Sequence, residues 1–249
     1  MDEQLVKRLI AINQKFYSEF ASAFSETRSS AQTRLDRIVA YIGDAGKVLD
    51  ICCGNGRLAE RLEREGKRAS YVGVDASAQL IAIASARQGH LRNVAVDFFV
   101  ADITQANWSL PFANASFDIA LALAVLHHIP SFDLRCAVLR DIHALLKPGA
   151  RLILTNWAFD RNDRQRKRIV AWSSAGLDES TLEPGDALLA WKRGGVGYRY
   201  CHLITKEEMI RMAEAGGFQV VKQYYADAEL NLYSVLIAWS NRPFEHATM

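Results

Sequence analysis

The sequence predicts a doubly wound, Rossmann-like α/β fold with a mostly parallel seven-stranded sheet that ends in an antiparallel hairpin. Buried apolar runs alternate with helical segments between residues 47 and 157, as strands joined by crossover helices do. A glycine loop follows the first run, and two apolar runs with a short connection close the sequence. We expect one domain over residues 1–249, with a helical cap at 1–43 and a substrate-side insertion at 158–202.

Composition gives few constraints on the partner. Lys and Arg number 30 against 28 Asp and Glu, so the net charge of +2 does not by itself predict a nucleic-acid partner. The cysteines have no metal-type spacing, and the neighbours Cys52 and Cys53 are poor disulfide partners. The first residues do not form a signal peptide, and no apolar run could span a bilayer. We therefore expect a cytoplasmic protein without a membrane partner.

Two helices are expected in the cap. Apolar residues recur at three- and four-residue steps over 3–25, and a second helix is predicted over 31–42, before Gly43. We expect most aromatic residues of the first helix to pack against the rest of the domain. For Tyr17 and Arg28, an alternative is that they cover a cofactor pocket.

The glycine loop follows a strand over 48–51 and leads into a helix near Arg57. Gly54 and Gly56 allow the backbone to approach a ligand closely, and the helix N-terminus offers unpaired N–H groups. This loop alone does not separate NAD from S-adenosylmethionine (SAM). Asp50, at the strand tip, would repel a pyrophosphate but suits a ligand with an ammonium and a sulfonium. The sequence therefore predicts SAM as the cofactor, with S-adenosylhomocysteine (SAH) as the product formed from it.

Two further strands also end in acids. A strand over 71–75 ends at Asp75, and a strand over 94–100 is followed by Asp102. Because the carboxyl ends of parallel strands share one edge, we expect both acids beside Asp50. Asp75 is predicted to bind the ribose diol, with helix capping as the alternative, and Asp102 to accept from the adenine amino group. The remaining predicted cofactor residues are Cys52, Ala76, Ile103 and Leu123.

The second half continues the alternation. A fourth strand over 117–123 precedes His127 and His128, which suit a metal, a base or plain packing; we expect no metal, since no carboxylate or cysteine lies at ligand spacing. A helix over 132–146 and a fifth strand over 151–156 follow. A capping box at Thr205 opens a helix that ends at Gly216, and strands are expected over 218–225 and 232–239.

The insertion mixes cations with aromatic residues. Such charge runs are usually solvated surfaces, but phosphate contact combined with base stacking is an alternative here. The aromatic residues are Trp172, Trp191, Tyr198 and Tyr200.

Several motifs together resemble the class I SAM-dependent methyltransferases. They are Val48-Leu49-Asp50, Gly54-Asn55-Gly56, Val72-Gly73-Val74-Asp75, Ala101-Asp102 and Leu145-Leu146-Lys147-Pro148-Gly149. Cys52 stands where this family usually has its first loop glycine.

A narrower set is similar to the eukaryotic-type tRNA wobble-uridine methyltransferases, which esterify the carboxylate of 5-carboxymethyluridine. It comprises Phe24-Ser25-Glu26-Thr27-Arg28, Ala124-Val125-Leu126-His127-His128-Ile129, Trp157-Ala158, Gly185-Asp186, Trp191 and Arg199-Tyr200-Cys201-His202. The resemblance implies a tRNA substrate and a small zinc-binding activator protein as a partner.

The implied reaction sets the expected catalytic residues. A carboxylate is ionised at neutral pH and needs no general base, only groups that fix its approach to the methyl group. We expect Arg28, Arg199 and His202 on the acceptor side and His127 near the methyl group, with surface pairing or packing as the alternative for each. The rival functions are a small-molecule O- or N-methyltransferase, a non-catalytic SAM- or RNA-binding module, and, more remotely, an NAD dehydrogenase.

Overall fold

A seven-stranded sheet forms the centre of the computed structural model, which describes residues 1–20, 32–44 and 46–239. Its strands are β1 Gly46–Ile51, β2 Ala69–Asp75, β3 Val94–Val100, β4 Phe117–Leu123, β5 Leu146–Trp157, β9 Phe218–Ala226 and β10 Asn231–Ala238. Their order is β3-β2-β1-β4-β5-β10-β9, with β1 to β5 parallel and β10 antiparallel to both β5 and β9. The predicted fold class is confirmed.

Helices flank this sheet, and side chains cap several of them. Asp2 accepts hydrogen bonds from two backbone N–H groups at the start of the first helix, and Ser77 and Thr205 cap later ones. The first helix ends at Glu19, and the last part of its predicted range, 21–25, lies outside the described residues. The helices are α1 Glu3–Glu19, α2 Gln32–Val39, α3 Arg57–Arg64, α4 Ala78–Arg87, α5 Phe132–Leu145, α6 Asp163–Arg166 and α7 Lys206–Ala215.

The central strands β1 and β4 are mostly buried on both faces because each face is covered by helices. In β1, Leu49 and Ile51 belong to the core shared with α5 and α7. Val48 points to the opposite face, whose core includes residues of α2 and α3. The alternation of successive side chains therefore places Asp50 on the same face as Val48.

The insertion folds into a second, three-stranded antiparallel sheet that the sequence did not predict. We call it the insertion sheet; its strands are β6 Ile169–Val170, β7 Asp186–Trp191 and β8 Gly197–His202, in that order. Leu5 and Leu9 of α1 pack with Trp172, Leu188 and Tyr200 in a separate apolar cluster. This cluster joins the cap helix to the insertion.

The chain order reverses at β1, which pairs with β2 on one side and β4 on the other. Ile51 is in register with Val74 of β2 and Ala122 of β4, so the carboxyl ends of the three strands lie side by side. Such a switch point opens a crevice in which α/β proteins bind ligands.

Candidate active site

The three strand-end acids line one cavity of about 770 Å³ at the carboxyl edge of the sheet. Nine of the ten predicted cofactor residues line this cavity; they are Tyr17, Asp50, Cys52, Gly54, Asp75, Ala76, Asp102, Ile103 and Leu123. Three carboxylates among apolar walls suit a cationic, hydroxyl-bearing ligand.

Gly56 is the predicted cofactor residue that lies outside the cavity wall. It precedes α3 with a φ of +74°, and a Cβ there would lie 2.9 Å from Cζ of Phe98. Its role is therefore close packing of the loop against β3. Cys52, in the position of the usual glycine, adopts a φ of +55° with its side chain in the cavity wall.

Both carboxylate oxygens of Asp75 accept hydrogen bonds from backbone N–H groups. One oxygen accepts from the backbone N–H of Gly54 at 2.9 Å, and the other accepts from the N–H of Ser77 at 2.9 Å. Burial raises the pKa of this carboxyl, although these two hydrogen bonds oppose the rise. A carboxylate has about four acceptor positions, so about two remain for a ligand.

Asp50 is almost fully buried, and its carboxylate accepts a short hydrogen bond from the hydroxyl of Tyr71. Burial raises the pKa of Asp50 to about 7, although the Tyr71 hydrogen bond opposes the rise. A cationic ligand beside Asp50 would favour its ionised form.

The third acid, Asp102, has a different set of partners. Its Oδ1 accepts from the backbone N–H of Thr104 at 2.9 Å and from the Thr104 hydroxyl at 2.7 Å. Its Oδ2 accepts from Nε2 of Gln14, on α1, at 3.0 Å.

Helix α1 supplies one wall of the cavity, and sequence reasoning had found only Tyr17 in it. Ile10 and Gln14 join Tyr17 in this wall, at steps of four and three residues on one side of the helix. The Tyr17 hydroxyl lies 3.1 Å from Nε2 of His128, which also lines the cavity. The helical spacing in the sequence places Ile10 and Gln14 on the side of α1 that carries Tyr17, but only the fold shows that this side faces the cavity.

The predicted acceptor-side residues are not brought together at the cavity. Arg28 lies outside the described residues. His127 is fully buried beneath Trp157, with ring centres 4.8 Å apart, and does not line the cavity. Arg199 is also buried and away from the cavity wall, because its guanidinium packs among aromatic rings.

His202 has a structural position that differs from the expected one. Its Nδ1 lies 2.7 Å from Oδ1 of Asp186, and its Nε2 lies 3.0 Å from both carboxylate oxygens of Glu208. Burial favours the neutral ring, but the two carboxylates outweigh burial and raise the pKa of His202. Arg135 bridges Glu208 and Glu183, so an ionic network joins the insertion to α5 and α7. His202 therefore holds elements together, away from the cavity.

The ligand atoms of Glu183, Asp186 and His202 lie within 4.8 Å of one another, a spacing that a metal ion could use. Each of these side chains already has a protein partner, and the cation Arg135 contacts Glu183 at 2.9 Å. The group is therefore well explained as a protein ion network.

The aromatic residues of the insertion mostly face inward. Trp172, Trp191 and Tyr200 are buried, the first and last in the cluster with α1 and Trp191 beside Phe16. Base stacking on these three rings, one alternative drawn from the sequence, is wrong. The exposed cations of the insertion remain at the surface and include Arg164, Lys167, Lys192 and Arg193.

Among the described residues, no helix has both the length and the apolar character needed to cross a membrane.

Comparison with known proteins identifies the class. The model of the methyltransferase domain family matches residues 24–223, which is most of the chain. The chain therefore belongs to this family, and its class is that of the SAM-dependent methyltransferases. The predicted class of enzyme and the predicted cofactor are confirmed.

Relatives give the family context. A protein of Encephalitozoon cuniculi named as a candidate methyltransferase is 28% identical over 225 residues, covering 89% of this chain and 93% of its own. The tRNA (carboxymethyluridine(34)-5-O)-methyltransferase of Xenopus tropicalis is 28% identical over 153 residues, covering 61% of this chain. The match spans only 22% of that longer relative.

The fold has counterparts among solved structures. The 1,6-didemethyltoxoflavin-N1-methyltransferase of Burkholderia thailandensis, solved with SAH, has a TM-score of 0.62 at 19% identity. The similarity covers 96% of this chain and 91% of that one. At this identity, the likeness shows a shared fold.

Proposed function

We propose that the protein transfers the methyl group of SAM to a carboxylate, and that this carboxylate belongs to a 5-carboxymethyluridine at the wobble position of a tRNA. The observation that carries the proposal is a buried cation, Arg199, without an acidic partner among the described residues.

The surroundings of Arg199 suit an anionic ligand. Its side chain is 1% exposed, and its guanidinium lies 4.7 to 5.3 Å from the ring centres of Phe16, Trp157 and Trp191. Its Nε has no hydrogen-bond partner in the described part of the chain. A buried charge is costly unless it is paired, and aromatic rings compensate only part of that cost. A substrate carboxylate would supply the missing partner.

Trp157 connects this cation to the cavity. Its ring lies 5.2 Å from that of His128, which lines the cavity, and 4.7 Å from the guanidinium of Arg199. Asn156, its neighbour, has a buried side-chain Nδ2 without a partner among the described residues. A shift of Trp157 would expose Arg199 and Asn156 to an acceptor, and both are donors that match a carboxylate.

The strand-end acids are proposed to hold the cofactor. When bound, SAM supplies a methyl group already activated by the positive charge on its sulfur. Asp75 offers its remaining acceptor positions to the ribose diol, and Asp102 accepts from the adenine amino group. Asp50 faces the cationic methionine end, beside Cys52 and Gly54.

The acceptor side needs alignment rather than proton transfer. An ionised carboxylate attacks without losing a proton, so this reaction needs no general base. Tyr17 and His128, hydrogen-bonded to one another, lie on the cavity wall and would orient the acceptor.

A tRNA substrate is supported by the names of relatives such as the Xenopus enzyme and by the exposed cations of the insertion. The zinc-binding activator protein and the cytoplasmic location stay predictions.

The test is a methylation assay with two synthetic anticodon stem-loops that differ only in carrying 5-carboxymethyluridine or uridine at the wobble position. We expect an alkali-labile methyl ester only on the first, detected by mass spectrometry. Arg199→Met is expected to lose most turnover while keeping SAM affinity, whereas the control Arg64→Met, at an exposed cation of α3 outside both the insertion and the cavity, keeps both. Equal losses of turnover and SAM affinity in Arg199→Met would contradict the acceptor role of Arg199.

A small-molecule acceptor is the second candidate. It is favoured by the inward-facing aromatic residues of the insertion. This candidate would be established instead if the protein methylated small carboxylic acids and transferred no methyl group to either stem-loop. SAM binding without turnover on any acceptor would favour the non-catalytic module.

A further inference from the structure

We propose that Gln14 binds the adenine of SAM together with Asp102, and that this pair selects a purine carrying a 6-amino group. The proposal extends the cofactor site by a residue of the cap helix. It depends on SAM as the cofactor and not on the proposed tRNA acceptor.

The position of Gln14 on α1 is fixed by its neighbour. Asn13 is buried, and its Nδ2 donates to the backbone oxygens of His128 at 3.0 Å and Tyr200 at 3.2 Å. Its Oδ1 accepts from the N–H of Tyr200 at 2.9 Å. These three hydrogen bonds fix the rotation and height of the helix at this turn, so Gln14 is presented to the cavity from a rigid element.

The hydrogen bonds at Asp102 define what this corner of the cavity offers. Oδ1 is committed to the N–H and hydroxyl of Thr104, while Oδ2 accepts a single hydrogen bond, from Nε2 of Gln14. One acceptor position of Oδ2 therefore remains. The carbonyl oxygen of the Gln14 side chain provides a second acceptor nearby.

Two neighbouring acceptors match an amino group, which carries two hydrogens. Glutamine and asparagine side chains are standard partners of the adenine edge because an amide both donates and accepts. A 6-oxo purine has no hydrogen on its oxygen and would place that oxygen beside a carboxylate. The corner should therefore accept adenine and reject hypoxanthine.

The donors around Asp102 are part of this selection. The amide of Gln14 and the two donors of Thr104 occupy three of the acceptor positions of the carboxylate. Removing the amide would leave the carboxylate in place but would delete one of the two acceptors for the amino group.

The test compares SAH with S-inosyl-L-homocysteine, which differs by a 6-oxo group, in calorimetric titrations of the wild type and Gln14→Met. We expect the wild type to prefer SAH strongly. Gln14→Met should weaken SAH binding about tenfold, because it loses one hydrogen bond to the adenine amino group. It should change binding of the inosyl compound by less than about twofold. Gln4→Met is the matched control, because Gln4 is an exposed glutamine of the same helix outside the cavity wall and should change neither affinity.

The outcomes separate the possible roles of Gln14. A selective loss for SAH supports the proposal. An equal loss for both ligands would mean that Gln14 only shapes the wall, and unchanged affinities would mean that it does not contact the purine; either result overturns the proposal. If the wild type binds neither ligand, the cofactor site itself is misassigned, whereas a failed tRNA assay leaves this test intact. Thermal unfolding confirms that each variant is folded.

Discussion

Replacement of Asp75 by asparagine tests the electrostatic basis of the cofactor site. The aspartate accepts from two backbone N–H groups and keeps about two acceptor positions for the ribose diol. An amide has one oxygen, so Asp75→Asn must lose at least one charge-assisted hydrogen bond to the diol. Such bonds are worth about 1.5–3 kcal/mol, so SAM should bind roughly 10- to 150-fold more weakly.

Loss of the contact with the ribose diol must be separated from any change in the glycine loop, because Asp75 also accepts a hydrogen bond from Gly54. A double-mutant cycle achieves this, with SAH and 2′-deoxy-SAH titrated calorimetrically into the wild type and Asp75→Asn. If Asp75 binds the diol, deleting the hydroxyl should weaken binding to the wild type far more than to the variant.

The reasoning would be refuted if the deoxy ligand lost the same affinity with both proteins. Asp97→Asn is the matched control, since Asp97 is an exposed carboxylate on β3 outside the cavity, and it should leave both titrations unchanged.

Three further predictions concern pH and packing. SAM binding near pH 7 should release protons, because burial raises the pKa of Asp50 to about 7 and a cation favours its ionised form; heats that do not depend on the buffer's ionisation enthalpy would contradict this. His202→Gln should destabilise the protein by about 3–5 kcal/mol below pH 6.5, and the difference from the wild type should shrink as pH rises through the raised pKa of His202. Urea unfolding at several pH values measures it, and a constant difference would exclude the ionic role. Gly56→Ala should cost about 2–4 kcal/mol because its Cβ meets Phe98, whereas Gly66→Ala, with a similar positive φ but open space, should cost about 1 kcal/mol. Equal shifts in thermal unfolding would show that φ alone decides.

The cavity to which we assign the cofactor could be predicted because its three acids follow from strand geometry. Asp50 and Asp75 end neighbouring parallel strands, and Asp102 follows the next, so a correct strand assignment is enough to bring the three acids to one edge. Local sequence carries that information. The fold class could be predicted from the alternation of strands and helices along the sequence.

The surroundings of the proposed acceptor residues could not be predicted in this way. Arg199 and His202 have chemically active side chains, but their surroundings depend on long-range packing of the insertion sheet. The partners of His202 lie on β7 and α7, and no local pattern in the sequence pairs them. The contacts of His202 with Asp186 and Glu208 could therefore be found only in the folded structure, and its acceptor role stays a prediction.

Gln14 was missed for a different reason. A polar residue on an amphipathic helix is ordinarily solvated, and only the position of α1 across the sheet edge brings Gln14 to Asp102. Gly56 shows the reverse case, since a glycine in a ligand-type loop can serve packing alone.

A crystal structure of the protein with SAH would show whether the three strand-end acids bind the cofactor in the proposed direction. We expect the ribose hydroxyls on the Asp75 carboxylate, the adenine amino group at Asp102, and the amino acid end of the ligand beside Asp50. A ligand bound in the reverse direction, or outside the cavity that these three acids line, would contradict it.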